Sequence, residues 1–450
     1  MENKVRRFRK LFLIFMVLAG VSSLVSSYVL DHLSDVFEAA KWLDASAVKT
    51  PAGLAWPSDP RDPKTINSSL YAGTPGVVLF YLEAASAARQ IGFRSQSEAY
   101  IEKVKAGADD LLVHLSKEQG TGLYEGLAGI GFTLEEAFKF TFESRYRNGF
   151  LTCLEVIKQK AAKAGKGIAW SPVADIISGG AGTGLFLLYA YKETRNKSWL
   201  DLAEEAGARL VELGKPKNGG LDWAMDPGYP RLMPNFSHGT AGIAFFLARL
   251  YEETKKKEFL EAAISGAKYL QSIAKTDGDA CLIFHDEPGG KDLYYLGWCH
   301  GPVGTANLFY SLFKISGEEV WLDWVKKCAR GIRDSGVPEK ETPGFWNNAG
   351  ICCGLAGVAD FFLSLYKVTG EARDLRFGSR IMARLAEKAT TDASGKRWVQ
   401  AEHRARPELL VAQTGLMQGA AGIGLVSLHW HQHEHGLRPR IVLPDSAFSD

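Results

Sequence analysis

Cysteine is scarce in this chain, with six in 450 residues. That excludes a disulfide framework, which small secreted scaffolds build from a far denser spacing. An excess of one charge is missing too: 53 basic residues meet 51 acidic ones, for a net charge of +2. With no long basic run beyond the N-terminus, no nucleic-acid partner is expected. No Walker loop, kinase signature or dinucleotide-binding fingerprint occurs, so the glycine-rich segments are not read as phosphate cradles. Hydrophobic residues make up 46% and charged residues 23%, the balance of an ordered globular chain.

What the chain has in quantity is glycine, 47 residues, and seven copies of Gly-x-x-Gly stand out. They are Gly73–Gly76, Gly126–Gly129, Gly179–Gly182, Gly239–Gly242, Gly301–Gly304, Gly354–Gly357 and Gly419–Gly422. They recur roughly every 53 to 65 residues, the mark of a repeat architecture. Each opens an apolar run, such as VVLFYLEA (77–84) or VADFFLSLY (358–366), that reads as a helix buried on both sides. A second segment follows, as at 198–214 and 258–274, with apolar residues at three- and four-residue steps and charges between. That pattern is a helix with one wet face. Hairpins of this kind bury both faces only by stacking. An open solenoid and a closed ring both satisfy the periodicity. Candidate ligands at the starts of the inner helices favour the ring, an all-α fold in the form of an α/α toroid with seven inner and seven outer helices. The glycines are expected to let backbones crowd at the axis and to permit positive φ in the turn entering each helix.

Outside the repeats, residues 1–10 hold five positive charges and Leu11 to Leu30 hold none. A basic stretch before an apolar one reads as a signal peptide or, by a small margin, a signal anchor. The alternative is a buried N-terminal helix. The expectation is a membrane-anchored or exported chain whose main domain is extracytoplasmic. Residues 31–64 read as a linker, 65–436 as the toroid domain and 437–450 as a C-terminal tail. His429, His431, His433 and His435 read as a helix end, where a second metal site would be adventitious and exposed.

Copies four to six carry His and Cys just before the first glycine: Ser237-His238, Cys299-His300 and Cys352-Cys353. Soft-metal ligands therefore share one register in neighbouring repeats. Cys299, Cys352 and Cys353 supply three thiolates from two adjacent helix starts. Zinc takes such ligands tetrahedrally, and a catalytic site keeps its fourth position open. His300 as a fourth ligand would close it. The positive end of a helix stabilises a thiolate. A centre this rich in sulfur suits thiol alkylation or addition better than water activation. His238, one repeat earlier in the same register, is the candidate general acid or base. Asp175, before Gly179, would orient it or donate a proton, and Glu125 is a weaker candidate. The plainer readings are buried thiols, a core histidine and an acidic helix cap. Cys153 and Cys328, within amphipathic stretches, read as small buried apolar residues, and Cys281 as a loop residue.

These residues give the chain a family resemblance. Trp-Cys-His-Gly (298–301), Cys-Cys-Gly-x-Ala-Gly (352–357), Ser-His-Gly-x-Ala-Gly (237–242) and Asp-x-x-x-Gly (175–179) match, in order, the motifs of the lanthionine synthetase C-like family. The resemblance covers residues 65 to 435 and implies an α/α toroid with one zinc ion. Members of the lantibiotic cyclase type add a peptide cysteine thiol across a dehydroalanine or dehydrobutyrine, forming a thioether. By the resemblance, Cys299, Cys352 and Cys353 would hold zinc, a Cys standing where the third ligand is commonly His. His238 would protonate the enolate left by thiol attack, and Asp175 would assist. Two positions depart from that type: residues 291–298 hold no arginine, and His300 stands where a Tyr occurs. The implied substrate is a peptide or a small thiol. The alternatives are a noncyclising relative that adds glutathione or another small thiol, a scaffold that kept its metal, and a toroid glycosidase. The last would need paired carboxylates and a cleft lined by Trp223, Trp298 or Trp346.

Overall fold

The structure, a computed structural model, describes residues 31–229 and 231–448. Each Gly-x-x-Gly motif opens an inner helix: α2 (Thr74–Gln90), α4 (Leu127–Thr141), α6 (Gly180–Thr194), α8 (Thr240–Thr254), α10 (Pro302–Ser316), α12 (Leu355–Thr369) and α14 (Ala420–Glu434). The outer helices that follow the first six are α3 (Arg94–His114), α5 (Ser144–Lys160), α7 (Lys197–Leu213), α9 (Lys257–Ile273), α11 (Glu319–Asp334) and α13 (Ala372–Glu387). Inner helices pack on their neighbours all the way round, and α14 packs on α2, so the ring closes into an α/α toroid.

The seventh outer helix comes from the other end of the described chain. Helix α1 (Asp31–Ser46) packs against α14, with Val36, Ala39, Ala40 and Leu43 buried. Residues 31–64 therefore begin with a helix that completes the ring, where the sequence suggested a linker. The reason is visible in the following loop. Trp56 is fully buried and donates its indole N–H to Leu43 O at 2.8 Å. Trp170, Trp223 and Trp398 make the same bond to Ile157, Leu210 and Leu385, each thirteen residues back in an outer helix. Leu43 and Trp56 repeat that spacing, so α1 is built as an outer helix.

Composition explains the two layers. In α11 the buried side chains Trp321, Leu322, Val325, Cys328, Ala329 and Ile332 fall at three- and four-residue steps, a stripe against the inner ring. In α12 burial runs on nearly every face, from Leu355 through Phe361, Phe362 and Leu365. Five inner helices end alike. Thr141, Thr194, Thr254, Ser316 and Thr369 each bond the carbonyl four residues back and accept an N–H two residues on. The residue after each is left-handed: Phe142, Arg195, Lys255, Gly317 and Gly370. This αL cap turns the chain directly into its outer helix.

Positive φ was expected at the motif glycines, and the structure assigns them a different job. The first glycine has a negative φ in six of the seven motifs, with Gly126 at φ 149° the exception. What excludes a side chain is close approach: a Cβ on Gly239 would lie 1.6 Å from Met233 O, and one on Gly304 1.9 Å from Trp298 O.

Beyond α14 the chain turns back into the bore of its own ring. Glu83, buried on α2, accepts the N–H groups of Arg440 and Ile441. Asp445 reaches Tyr124 Oη at 3.0 Å, Ala447 N bonds Asn307 Oδ1, and Phe448 stacks on Tyr310 with ring centroids 4.4 Å apart. The expected tail thus packs into the ring through Ile441, Asp445 and Ala447, which are buried, while Arg438, Pro439 and Val442 stay exposed.

Among the described residues no helix is long and apolar enough to cross a membrane. The expected membrane-anchored or exported placement is corrected accordingly. The run Leu11 to Leu30 that suggested it lies outside the described residues, and no described helix takes its place.

Candidate metal centre

The mouth of the ring is held by backbone hydrogen bonds between the turns that precede the inner helices. Ser237 N donates to Cys299 O at 2.9 Å, Cys299 N to Cys352 O at 3.1 Å, and Cys352 N to Met417 O at 2.9 Å. The circuit continues from Met417 N to Tyr71 O, Tyr71 N to Tyr124 O and Tyr124 N to Ile177 O, and Ile176 N returns to Ser237 O. The carbonyl partners all stand two residues before the first motif glycine. A shared register along the chain thus becomes a closed circle in space.

Cys299 and Cys352 are neighbours in that circle, and Cys353 is next in sequence. Cys299 Sγ lies 3.0 Å from Cys353 Sγ, and Cys352 Sγ 3.6 Å from Cys353 Sγ. All three are buried and none is in a disulfide. Among the described residues they form the one group of three His, Cys, Asp or Glu side chains whose donor atoms lie within 4.8 Å of one another. Hydrogen bonds from the Cys299 and Cys353 thiols hold Cys352 well below the ordinary thiol range, while Cys299 is pushed up, chiefly by burial. Three sulfurs this close cannot all ionise unless a cation joins them. Three cysteines, convergent and at helix starts, are a donor set that fits zinc.

The centre lies in a cavity of about 480 Å³, lined also by Asp175, His238, His285, His300, Trp346 and Arg404. His238 Nδ1 lies 2.6 Å from Asp175 Oδ2. The other Asp175 oxygen accepts the N–H groups of Ser178 and Gly179, each at 2.9 Å. Asp175 therefore ties down the turn that enters α6, without capping the helix itself, and is the hydrogen-bond partner of His238. Burial alone would lower the His238 pKa, but the hydrogen bond and charge of Asp175 outweigh it, and the pKa is raised. With Nδ1 engaged, Nε2 is the nitrogen left for the cavity.

His300 lines the cavity without joining the sulfur cluster. Its Nδ1 is buried without a hydrogen-bond partner, and burial drives its pKa well below the usual histidine range. Glu125 is on the cavity wall. Trp346 is too, whereas Trp223 is sealed under α7 and Trp298 points to Tyr124 and Phe236. The four C-terminal histidines scatter around α14 and beyond it. His429 pairs with Asp360 at 2.8 Å, His431 is buried, and His435 Nδ1 meets His431 O. They bring no second cluster of donors together.

Sequence reasoning missed Tyr71, His285 and Arg404. Tyr71 was legible, because it occupies the same register as Cys299 and Cys352; its hydroxyl accepts from Gln418 Nε2 at 3.0 Å. His285 and Arg404 lie in loops between an outer helix and the next motif, where no periodicity marks them.

A model of the family "Lanthionine synthetase C-like protein" matches residues 64–442. The chain belongs to the lanthionine synthetase C-like family. A zebrafish (Danio rerio) relative named "Glutathione S-transferase LANCL1" is 27% identical over 139 residues, which is 31% of this chain and 32% of the relative. The chain thus matches about a third of that relative's length. Among solved structures, a nisin cyclase superposes with a TM-score of 0.61 at 16% identity, over 82% of this chain and 89% of the cyclase. A GH76 α-mannanase of Bacteroides thetaiotaomicron gives a TM-score of 0.50 at 12% identity, over 90% of this chain and 96% of the mannanase. At these identities the likeness is one of fold. The toroid is common to cyclase and mannanase, so this family member's chemistry has to be read from its cavity.

Proposed function

We propose that the protein is a zinc-dependent thiol-addition enzyme that joins a thiol to a dehydroamino acid to form a thioether. One observation carries the reading: three convergent cysteine sulfurs share a cavity with an oriented His–Asp pair. Cys299, Cys352 and Cys353 would hold one zinc ion per chain, and the chemistry zinc supplies there is a lower pKa for an incoming thiol. The thiol sulfur forms a bond to the β-carbon of the acceptor, and the π electrons move to the carbonyl as an enolate. His238, its pKa raised by the hydrogen bond and charge of Asp175 against burial, gives its proton to the α-carbon, which completes the addition.

A peptide carrying both groups would close into a ring, as the name of the nisin cyclase says of that protein. A second reading, addition of glutathione or another small thiol, is favoured by the sequence match to the protein named glutathione S-transferase. A glycosidase reading fares worse, since both Asp175 oxygens are already engaged, by His238 and by two backbone N–H groups.

The test is metal analysis together with a paired assay. Purified protein is expected to carry about one zinc per chain, and Cys352→Ala or Cys353→Ala to carry none. A peptide holding Cys and dehydroalanine should lose its free thiol without change of mass if cyclisation is the activity. A glutathione adduct on a dehydroalanine peptide would mark the second reading. Full zinc in both cysteine variants would overturn the ligand assignment.

A further inference from the structure

A thiol that adds to an alkene sheds one proton and the product carbon gains another, so an enclosed site has two proton transfers to manage. His238 is placed for the second. For the first, the cavity holds another oriented imidazole. His285 Nδ1 lies 2.6 Å from Asp286 Oδ1. Asp286 is 2% exposed and clamped by Arg231, whose Nε lies 2.9 Å from Oδ2 and Nη2 2.8 Å from Oδ1. The loop carrying the pair is fixed by backbone bonds, His285 N to Leu293 O at 2.7 Å and Glu287 to Leu232 in both directions. His285 lines the same cavity as His238 and the cysteines, and also borders a second cavity of about 640 Å³ that shares Arg404 with the first. The two histidines flank His300: the His285 and His300 ring centroids are 4.2 Å apart, and those of His300 and His238 5.5 Å.

Resting on the thiol-addition reading above, we infer that the Arg231–Asp286–His285 array is a second acid–base unit of the site, in which His285 Nε2 takes the proton from the incoming thiol. Arg231 and Asp286 are positioning residues: they fix the ring and commit Nδ1 to the carboxylate. The groups facing His285 are Asp286, Arg231, Arg404, Tyr295 and His300. Burial lowers the His285 pKa, and Arg231 and Arg404 add to that against the hydrogen bond of Asp286. Burial lowers that of His238 too, but the hydrogen bond and charge of Asp175 outweigh it and leave it raised. Titratable groups pushed in opposite directions are an acid and a base in waiting. The step balances: the S–H proton passes to His285 Nε2, the S–C bond forms as the C=C π bond opens, and His238 protonates the α-carbon. The cycle closes when His285 returns one proton and His238 regains one.

The test compares wild type, His285→Ala and Asp286→Asn, with glutathione plus a dehydroalanine peptide and with a peptide carrying Cys and dehydroalanine. His285→Ala should keep its zinc, lose about 100-fold in kcat/KM and lose the acidic limb of the wild-type pH profile. Added imidazole should restore part of the rate. Asp286→Asn should shift the acidic limb to lower pH, which gives a readout even where His285→Ala does not fold. A His285→Ala enzyme within three-fold of wild type, or one that loses zinc along with activity, overturns this assignment and leaves thiol addition standing. A wild-type enzyme that adds neither thiol overturns the parent reading, and this one with it.

Discussion

At the scale of single residues the site depends on pairs in which one partner fixes the other's proton. Asp175 does so for His238 while its second oxygen holds the turn that enters α6. Asp175→Asn can keep the bonds to Ser178 and Gly179 through its amide oxygen but loses the charge that raises the His238 pKa. A general acid must be protonated, so a raised pKa carries activity to higher pH and activity falls as pH climbs through it. The alkaline limb of kcat should therefore move to lower pH in Asp175→Asn, with zinc unchanged. An unmoved limb would assign it to another group. His238→Ala should keep zinc and lose about 100-fold or more in rate; loss of zinc in that variant would make His238 a structural residue. The expected residues Cys299, Cys352, Cys353, His238 and Asp175 all lie one, two or four residues before the first glycine of a motif, which is why they were legible. His285 was not, because it belongs to a loop between an outer helix and the next motif, where no periodicity marks it.

At the scale of elements, the turn from inner to outer helix tolerates left-handed residues that are not glycine. Phe142 sits at φ 59° and is 79% exposed, where Gly317 and Gly370 occupy the equivalent place in other repeats. An L-residue costs roughly 1–2 kcal/mol there, and glycine's greater freedom when unfolded takes back about 0.5–1 kcal/mol of any gain. Phe142→Gly should therefore stabilise by about 0.5–1 kcal/mol, seen as a rise in thermal midpoint of a few degrees. A fall would mean that Phe142 makes a contact worth more than its strain. The same scale explains the misread linker. Pro, Ser and Asp between residues 57 and 63 suggested a spacer, yet Trp56 already carried the spacing of the hydrogen-bonded indoles behind α5, α7 and α13. Trp56→Phe leaves Leu43 O buried without its donor and should cost about 1–3 kcal/mol. A loss no larger than that of an exposed substitution would show that α1 is not held this way.

At the scale of the whole molecule, the ring is closed from outside by α1 and entered from inside by the C-terminal segment, which buries Ile441, Asp445 and Ala447. Burial lifts the Asp445 carboxyl from 3.8 to about 6, against the hydrogen bonds of Tyr124 and Trp298. Below about pH 4 it is protonated folded or unfolded. Between there and pH 6 the native chain keeps a proton the unfolded chain releases, so this group's contribution to stability falls as pH rises, by on the order of 3 kcal/mol. Asp445→Asn removes that dependence. Thermal unfolding of both proteins at pH 4, 5 and 6.5 should show the variant gaining on wild type as pH rises, and a constant gap would refute the assignment. The sequence by itself determined the repeat, the two helix layers and the ligand register, because periodicity and residue type are local properties. Periodicity alone left ring and solenoid both open, and only the ligand positions and the family resemblance favoured the ring, since closure depends on α14 meeting α2 and on a hydrogen-bond circuit among residues hundreds of positions apart. Only the tertiary structure decided which helix is the seventh outer one, what enters the bore, and that an isolated loop histidine faces the same cavity as the cysteines. Those contacts join segments that share no period, and no local pattern encodes them.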